Sequence, residues 1–279
     1  MNKVFIIGNG YIGDLIAKKF NSMYHFVGVC RSNKNNCETN ISLDVSKDES
    51  LLQKIIDTKS IVIYLAAPQN NGLMDSTLNT FLKNINKANI EKIIYVSTSG
   101  VYGDKEDRVV DEKASLNPIT DRAKRRVDAE KQIQSSSLRY TILRVPGIYG
   151  SNRLPIQRIK ERLPLIRRDI CKHTNLIHGK DLSDVIVNCI SNKKTDDIIM
   201  NVSDGTPIKT TDYYLKIYDA LKIEYPVFID YERANEIYDE KRKSFINESR
   251  ILDVSLMKKI MPGIIKYVDV REGIEDSLK

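Results

Sequence analysis

Six residues near the N-terminus carry the clearest chemistry in this chain. Gly8-Asn9-Gly10-Tyr11-Ile12-Gly13 follows a β-rich run and opens an amphipathic stretch with Leu15, Ile16 and Phe20. Strand, GxGxxG and helix in that order are the context in which the motif holds a dinucleotide. Gly8 permits a tight turn, Gly10 lets the backbone approach a pyrophosphate, and Gly13 lets the helix pack close to the sheet. The helix N-terminus then offers free N–H groups and partial positive charge to the phosphates. A second run, 26–30, should end where the cofactor's adenine ribose is read. An Asp or Glu there selects NAD, but the residues are Cys30-Arg31-Ser32-Asn33-Lys34. A planar guanidinium at Arg31, with Ser32 beside it, suits a 2′-phosphate. NADP(H) is therefore favoured over NAD(H).

Other chemistry is thin. Cys30, Cys37, Cys171 and Cys189 form no CxxC pair, and the histidines are His25, His173 and His178. No metal-ligand spacing can be built from them, so no metal is expected. The formal net charge is +7. Residues 151–180 hold eight Lys/Arg against two acids, so most of that excess sits in one stretch. Arg153, Arg158, Arg167 or Arg168 could grip a phosphate or carboxylate, or the stretch is a solvated basic face. It has no interleaved aromatic residue, which argues against nucleic acid.

These residues need a scaffold, and 279 residues with 41% hydrophobic and 29% charged content suffice for one soluble α/β domain with a modest second lobe. β-rich runs at 4–7, 26–30, 61–66, 93–97 and 140–145 alternate with helical patterns near 13–20, 48–57, 74–88 and 120–134. That rhythm predicts a Rossmann-type, doubly wound parallel sheet. After Pro146 it breaks: helices are expected near 181–191, 210–221, 252–260 and beyond 270, with a strand at 198–202. The expected division is a dinucleotide-binding domain over 1–150, joined by a strand and helix from 176–205. A small C-terminal substrate lobe would comprise 151–175 and 206–279. No apolar run approaches the roughly 18 residues of a membrane span. The N-terminal run is too short for a signal-peptide core, so the expectation is a cytoplasmic protein.

Several segments, in order, carry a family resemblance: IIGNGYIG (6–13), SLDVS (42–46), YLAAP (64–68), YVSTSGVYGD (95–104), LRVPGIYG (143–150), NLIHGKDLSDVI (175–186) and NVSDGTP (201–207). The chain resembles the extended short-chain dehydrogenases/reductases of the NAD-dependent epimerase/dehydratase family, as an atypical member. The resemblance implies that Asp44 and Val45 meet the adenine and that Ala66, Ala67 and Pro68 form the cofactor-side loop. It implies that Ser97 and Thr98 stand at the nicotinamide end, with Thr98 as the catalytic hydroxyl, and that Pro146 and Gly147 lie beside the carboxamide. It also implies that the C-terminal lobe closes over the substrate.

The sequence departs from the family at the acid/base pair. The family uses Tyr-x-x-x-Lys on one helix face. Aligned on Glu130, the corresponding positions are Arg122 and Arg126; a shifted register gives Thr120 and Lys124. Neither supplies a phenol, and an arginine stays protonated and cannot act as general acid or base. Arg126 could still bind ribose hydroxyls, and Arg122 would face the substrate. Tyr102, Tyr149 and His178 are the replacement candidates, each with a structural reading that weighs more; Asp181 is expected to open the helix at 181. The function expected is an NADP(H)-dependent oxidoreductase or epimerase working by hydride transfer on a small anionic, sugar-derived substrate. The alternative is a non-catalytic NADP(H) sensor. The expected partners are that substrate and, as an open alternative, a second copy in a homodimer.

Overall fold

A computed structural model describes residues 3–31, 37 and 39–279. Ser32 lies outside the described residues. The first half alternates as the runs predict: β1 (Lys3–Ile7), α1 (Tyr11–Phe20), β2 (His25–Cys30), β3 (Thr39–Ser42), α2 (Glu49–Ile55), β4 (Ser60–Tyr64), α3 (Ser76–Asn84), β5 (Ile90–Thr98), a short β6 (Val109–Val110), α4 (Asp121–Gln134) and β7 (Tyr140–Val145). The remainder is more broken: β8 (Gly147–Tyr149), α5 (Ile156–Lys160), β9 (Leu165–Ile166), β10 (His173–Thr174), β11 (Leu176–His178), α6 (Gly179–Ser191), β12 (Ile198–Asn201), β13 (Ile208–Lys209), α7 (Thr210–Leu221), β14 (Phe228–Ile229), α8 (Tyr231–Ile237), α9 (Glu240–Ile246), β15 (Ile251–Leu252), α10 (Ser255–Ile260) and α11 (Val270–Ser277).

Among the described residues the central sheet runs β12-β7-β5-β4-β1-β2-β3, and every neighbouring pair in it is parallel. Parallel strands covered by helices on both faces must be apolar on both faces, and β1 and β4 are buried along nearly their whole length. Side chains alternate across the sheet. Val4 and Ile6 pack into one apolar cluster with Ile16, Leu182 and Ile186, and Phe5 and Ile7 into another with Leu78, Phe81 and Leu52. The strand order reverses at β1, between β4 and β2. Ligands of doubly wound sheets bind outside the strand ends at such a switch point.

The short strands pair outside this sheet: β8 with β11, β9 with β14, β10 with β13 and β6 with β15. They tie the C-terminal segments to the loops that follow β5 and β7. Two further apolar clusters form there, one around Tyr149, Tyr213, Ile217 and Ile274, the other around Ile166, Cys171, Ala234 and Tyr238. Two expectations are corrected. The helix expected at 181 begins at Gly179 and is capped by His178, whose Nδ1 accepts from Lys180 N–H at 3.3 Å. Asp181 therefore lies in the first turn without capping it. Its carboxylate instead accepts the Lys266 and Tyr267 N–H groups at 3.1 and 3.0 Å, holding down the chain before α11.

Candidate active site

The turn after β1 forms because Gly8 sits at φ +84°. A Cβ there would stand 2.4 Å from Ala66 N, so only glycine lets this turn lie against the chain leaving β4. The Gly8 N–H donates to Val29 O at 2.8 Å, and Leu65 N–H to Ile7 O at 2.8 Å. The turn is thus pinned to both flanking strands at the switch point. Gly10 precedes α1, and a Cβ there would have only Gly8 O near it, at 3.9 Å, in the direction of open space.

That space is a cavity of about 590 Å³. Its floor is Gly8, Gly10, Tyr11, Ile12 and Leu65, and its flank is the end of β5 with Ser97, Thr98 and Gly100. Pro146 and Gly147, after β7, line it as well. From α4 come Arg122, Ala123 and Arg126, the two arginines placed on one face by their four-residue spacing. Thr120 caps this helix by accepting from Ala123 N–H at 3.2 Å. The far side comes from His173 to Asn175, from β10 onward, and from a segment the sequence had not singled out, Phe245 with Glu248 to Arg250 before β15.

Some expected residues lie elsewhere. The Asn9 side chain points under the turn, where its Nδ2 donates to Cys37 Sγ at 3.2 Å. Glycine is needed at position 13 because a Cβ would meet Asn9 Oδ1 and Ile6 Cγ2. Ala66, Ala67 and Pro68 are absent from the cavity lining, where Leu65 stands for that loop. Val45 is buried in the core. Asp44 accepts from the N–H and hydroxyl of Ser46, at 3.0 and 2.6 Å, which together hold its carboxyl below the ordinary range; Arg31 adds a smaller attraction. Arg31 itself is exposed at the end of β2.

At the β5 end, the Thr98 oxygen accepts from Gly100 N–H at 3.2 Å, leaving its hydroxyl proton free to be donated elsewhere. The Ser97 hydroxyl donates to Glu130 at 2.5 Å. Glu130 also receives Arg144 Nη2 at 2.8 Å, and Arg144 Nη1 donates to the Tyr102 hydroxyl at 2.9 Å. Tyr102 in turn donates to Asn201 at 2.7 Å. This buried network joins β5, α4, β7 and β12 beneath the cavity. Arg126 Nη1 donates to the Tyr95 hydroxyl at 2.8 Å and to Val96 O at 3.3 Å, which fixes its guanidinium against β5. Arg122 is exposed, with its guanidinium 5.0 Å from the Phe245 ring centre.

The replacement candidates are packed away. Tyr102 is committed to the network, and neither Tyr149 nor His178 lines the cavity. Tyr149 stacks edge-on against His178 at 5.1 Å, and burial drives its phenol far above the ordinary range. The His178 Nε2 lies 3.2 Å from the Ser277 hydroxyl. Of the eight Lys/Arg in the basic stretch only Arg153 lines the cavity, its guanidinium 4.7 Å from the Tyr11 ring centre. Arg158 stacks on Tyr214, and Arg167 and Arg168 pair with Asp169 and Asp212. Glu248 and Arg250 announce themselves in sequence only as two opposite charges two residues apart before a strand. Among the described residues no His/Cys/Asp/Glu cluster is arranged to hold a metal, and no helix is long and apolar enough to cross a membrane.

A doubly wound sheet with a glycine turn at its switch point defines a dinucleotide-binding protein, and comparison with known proteins makes this specific. Residues 8–193 match the NAD(P)H-binding family, and the chain belongs to it. The extended short-chain dehydrogenase/reductase resemblance read from the motifs stands. Human dTDP-D-glucose 4,6-dehydratase is 28% identical over 124 residues, which cover 40% of this chain and 35% of that protein. The match thus spans about a third of the length of that curated relative. Among solved structures, a conserved protein of unknown function from Silicibacter pomeroyi superposes with a TM-score of 0.84 at 21% identity, covering 100% of this chain and 98% of that one. The UDP-glucose 4-epimerase of Thermotoga maritima, solved with UDP-glucose, gives 0.79 at 17% identity, covering 100% and 97%.

Proposed function

We propose that this chain is an NADP(H)-preferring oxidoreductase or epimerase acting on a small anionic, sugar-derived substrate. One observation carries the reading. A single cavity runs from the glycine turn to the segment before β15, and its charged lining is Arg122, Arg126, Arg153 and Arg250 against Glu248 alone among the described residues. Such a lining favours a ligand with several negative charges.

The residues present fit a nicotinamide dinucleotide. The open side of Gly10 is a cradle that a Cβ would fill. Gly8, Gly10 and the first turn of α1 would hold the pyrophosphate. Arg126 and Thr98 would face the nicotinamide ribose and the reacting oxygen. Arg31 and Asp44 would lie at the adenine end, and Pro146 and Gly147 at the carboxamide. The cofactor, when bound, supplies hydride transfer at the nicotinamide ring. The protein orients the substrate through Arg122, Arg153 and Arg250, donates a hydrogen bond from Thr98, and excludes water by packing Phe245 and the 248–250 segment over the cavity. The division of labour follows: residues 1–150 with 176–205 carry the cofactor, and the remaining C-terminal segments carry the substrate.

Two variants test this. Gly10→Ala should fold as the wild type does, since its Cβ meets nothing closer than 3.9 Å, yet bind NADPH at least about tenfold more weakly. Undiminished binding measured by fluorescence titration would reduce the motif to a turn. Gly8→Ala is the contrasting control, expected to damage the fold itself. Arg31→Ala should cost NADPH about 1.5–3 kcal/mol of binding and leave NADH unaffected. Equal affinities for the two cofactors, unchanged by the substitution, would remove the 2′-phosphate argument. Tight NADPH binding without turnover on any sugar nucleotide would favour a sensor over an enzyme.

A further inference from the structure

The cavity has a fixed acidic group that the family pattern does not provide. Glu248 and Arg250 arrive from the segment between α9 and β15, which four backbone contacts hold in place. Ser249 N–H donates to Asp104 at 2.8 Å, and Ile251 N–H to Arg108 O at 3.0 Å. Asn175 Nδ2 donates to Arg250 O at 2.7 Å, and its Oδ1 accepts from Leu252 N–H at 2.9 Å. The Arg250 guanidinium then joins two walls of the cavity, donating to Ser99 O at 2.8 Å and to the Glu248 carboxylate at 2.7 Å. Ser99 adjoins Thr98. One buried arginine therefore ties the Glu248 carboxyl to the turn that carries the Thr98 hydroxyl.

We propose that Glu248 is the proton-transfer residue of this site, with Arg250 as the residue that positions it. The assignment rests on the oxidoreductase reading above. Among the described residues, three other kinds of group on the cavity wall could compete. The arginines stay protonated. The Tyr11 hydroxyl is packed against the turns at Gly150 and Gly179, and burial pushes its phenol up. The His173 backbone N–H donates to Asp107 at 3.0 Å, and its Nδ1 lies 3.2 Å from the same carboxylate. Glu248 lies half-buried among Arg250, Asp104, Arg122 and Lys172. Burial raises its carboxyl above the ordinary range against the pull of Arg250.

In the oxidation direction, the substrate carbinol O–H gives its proton to the Glu248 carboxylate. The electron pair left on oxygen forms the C=O bond, and the carbinol carbon loses a hydride to the oxidised nicotinamide, which becomes its reduced form. Glu248 then returns the proton to solvent, or to the same oxygen when the carbonyl is reduced again. Arg250 balances the charge of the ionised carboxylate and still donates to the carboxyl when it is protonated.

The test uses the full chain with NADP⁺ or NAD⁺ and three probes: UDP-glucose, UDP-glucuronic acid and dTDP-glucose. Formation of reduced nicotinamide is followed by absorbance across pH, and cofactor affinity separately by fluorescence. The wild-type rate should rise with pH as Glu248 deprotonates and then level. Glu248→Gln should bind cofactor as the wild type does, lose about a hundredfold or more in kcat, and lose that limb. Glu248→Asp should recover the limb, and His173→Asn should keep it. A limb that survives Glu248→Gln, or disappears in His173→Asn, overturns the assignment. A wild type that binds cofactor but oxidises none of the probes also overturns it, while leaving the cofactor site standing. Failure of the wild type to bind either cofactor overturns the underlying reading instead.

Discussion

Glu130→Ala is expected to destabilise the protein by about 3–5 kcal/mol, because it leaves a buried guanidinium without its counter-charge. The side chains of Arg144 and Glu130 are 3% and 2% exposed, so water cannot take the place of the lost carboxylate. Arg144 Nε and Nη2 and the Ser97 hydroxyl all lose an acceptor in that variant. A buried pair is a poor source of net stability but costly to break from one side. The double variant Glu130→Met with Arg144→Met should therefore lose much less than the sum of its single changes. Urea unfolding of the four proteins forms the cycle. A loss below about 1 kcal/mol in Glu130→Ala would mean that the Arg144 charge finds a substitute partner and that the network is not what fixes the end of β5. The same network lies under Ser97 and so steadies Thr98 beside it. Its disruption should be felt in the cavity as well as in the fold.

The second large effect is a pair of opposed pH dependences. Burial lowers the His178 imidazole to about 4, and burial raises the Asp204 carboxyl to about 7. His178 has its ordinary value near 6.5, so between there and about 4 the unfolded chain takes up a proton that the native chain refuses. The contribution of His178 is thus fully present above about pH 6.5 and is lost as pH falls, at about 1.4 kcal/mol per pH unit. Asp204 has the opposite sign. From 3.8 up to about 7 the native chain keeps a proton that the unfolded chain has released. Its contribution is full at low pH and is lost as pH rises, at about the same slope. In the wild type the two largely cancel across pH 4–6.5. His178→Gln should therefore make stability fall with rising pH in that window, and Asp204→Asn should make it rise. Both differ from the wild type by roughly 3 kcal/mol across the range. The remaining carboxylates are common to all three proteins and drop out of the comparison. Parallel stability–pH curves for the three would show that neither group is buried in its stated form.

The strand–turn–helix order of the first half was legible because its signals are local. The apolar runs at 4–7, 61–66 and 140–145 are hydrophobic without alternation, as strands buried on both faces must be. Thr120 before a helical pattern marks the start of α4, and the structure starts that helix one residue later, at Asp121. Where the signal is not periodic, reading failed. β3 is four residues with little burial, and no apolar run marks it. Helices α8 and α9 are seven residues each, polar and without a continuous apolar stripe. They stand because Ala234, Tyr238 and Ile246 pack onto Ile166 and Cys171, a contact between distant segments.

By itself, the sequence determined that the chain folds as a doubly wound sheet with a glycine turn for a dinucleotide. Glycine spacing and strand-sized apolar runs act on neighbours in the chain. It also determined that α4 presents Arg122 and Arg126 on the face that lines the cavity, since four residues return to one helix face. Tertiary structure alone decided which charges meet the cavity. Of four candidate arginines in the basic stretch it kept Arg153 and gave Arg167 and Arg168 to nearby carboxylates. It also brought Glu248 and Arg250 to Ser99 across some 150 residues of chain. No local pattern encodes such a meeting: the pairing of β6 with β15 and the two-way hydrogen bonding of Asn175 arise only when distant loops close on each other.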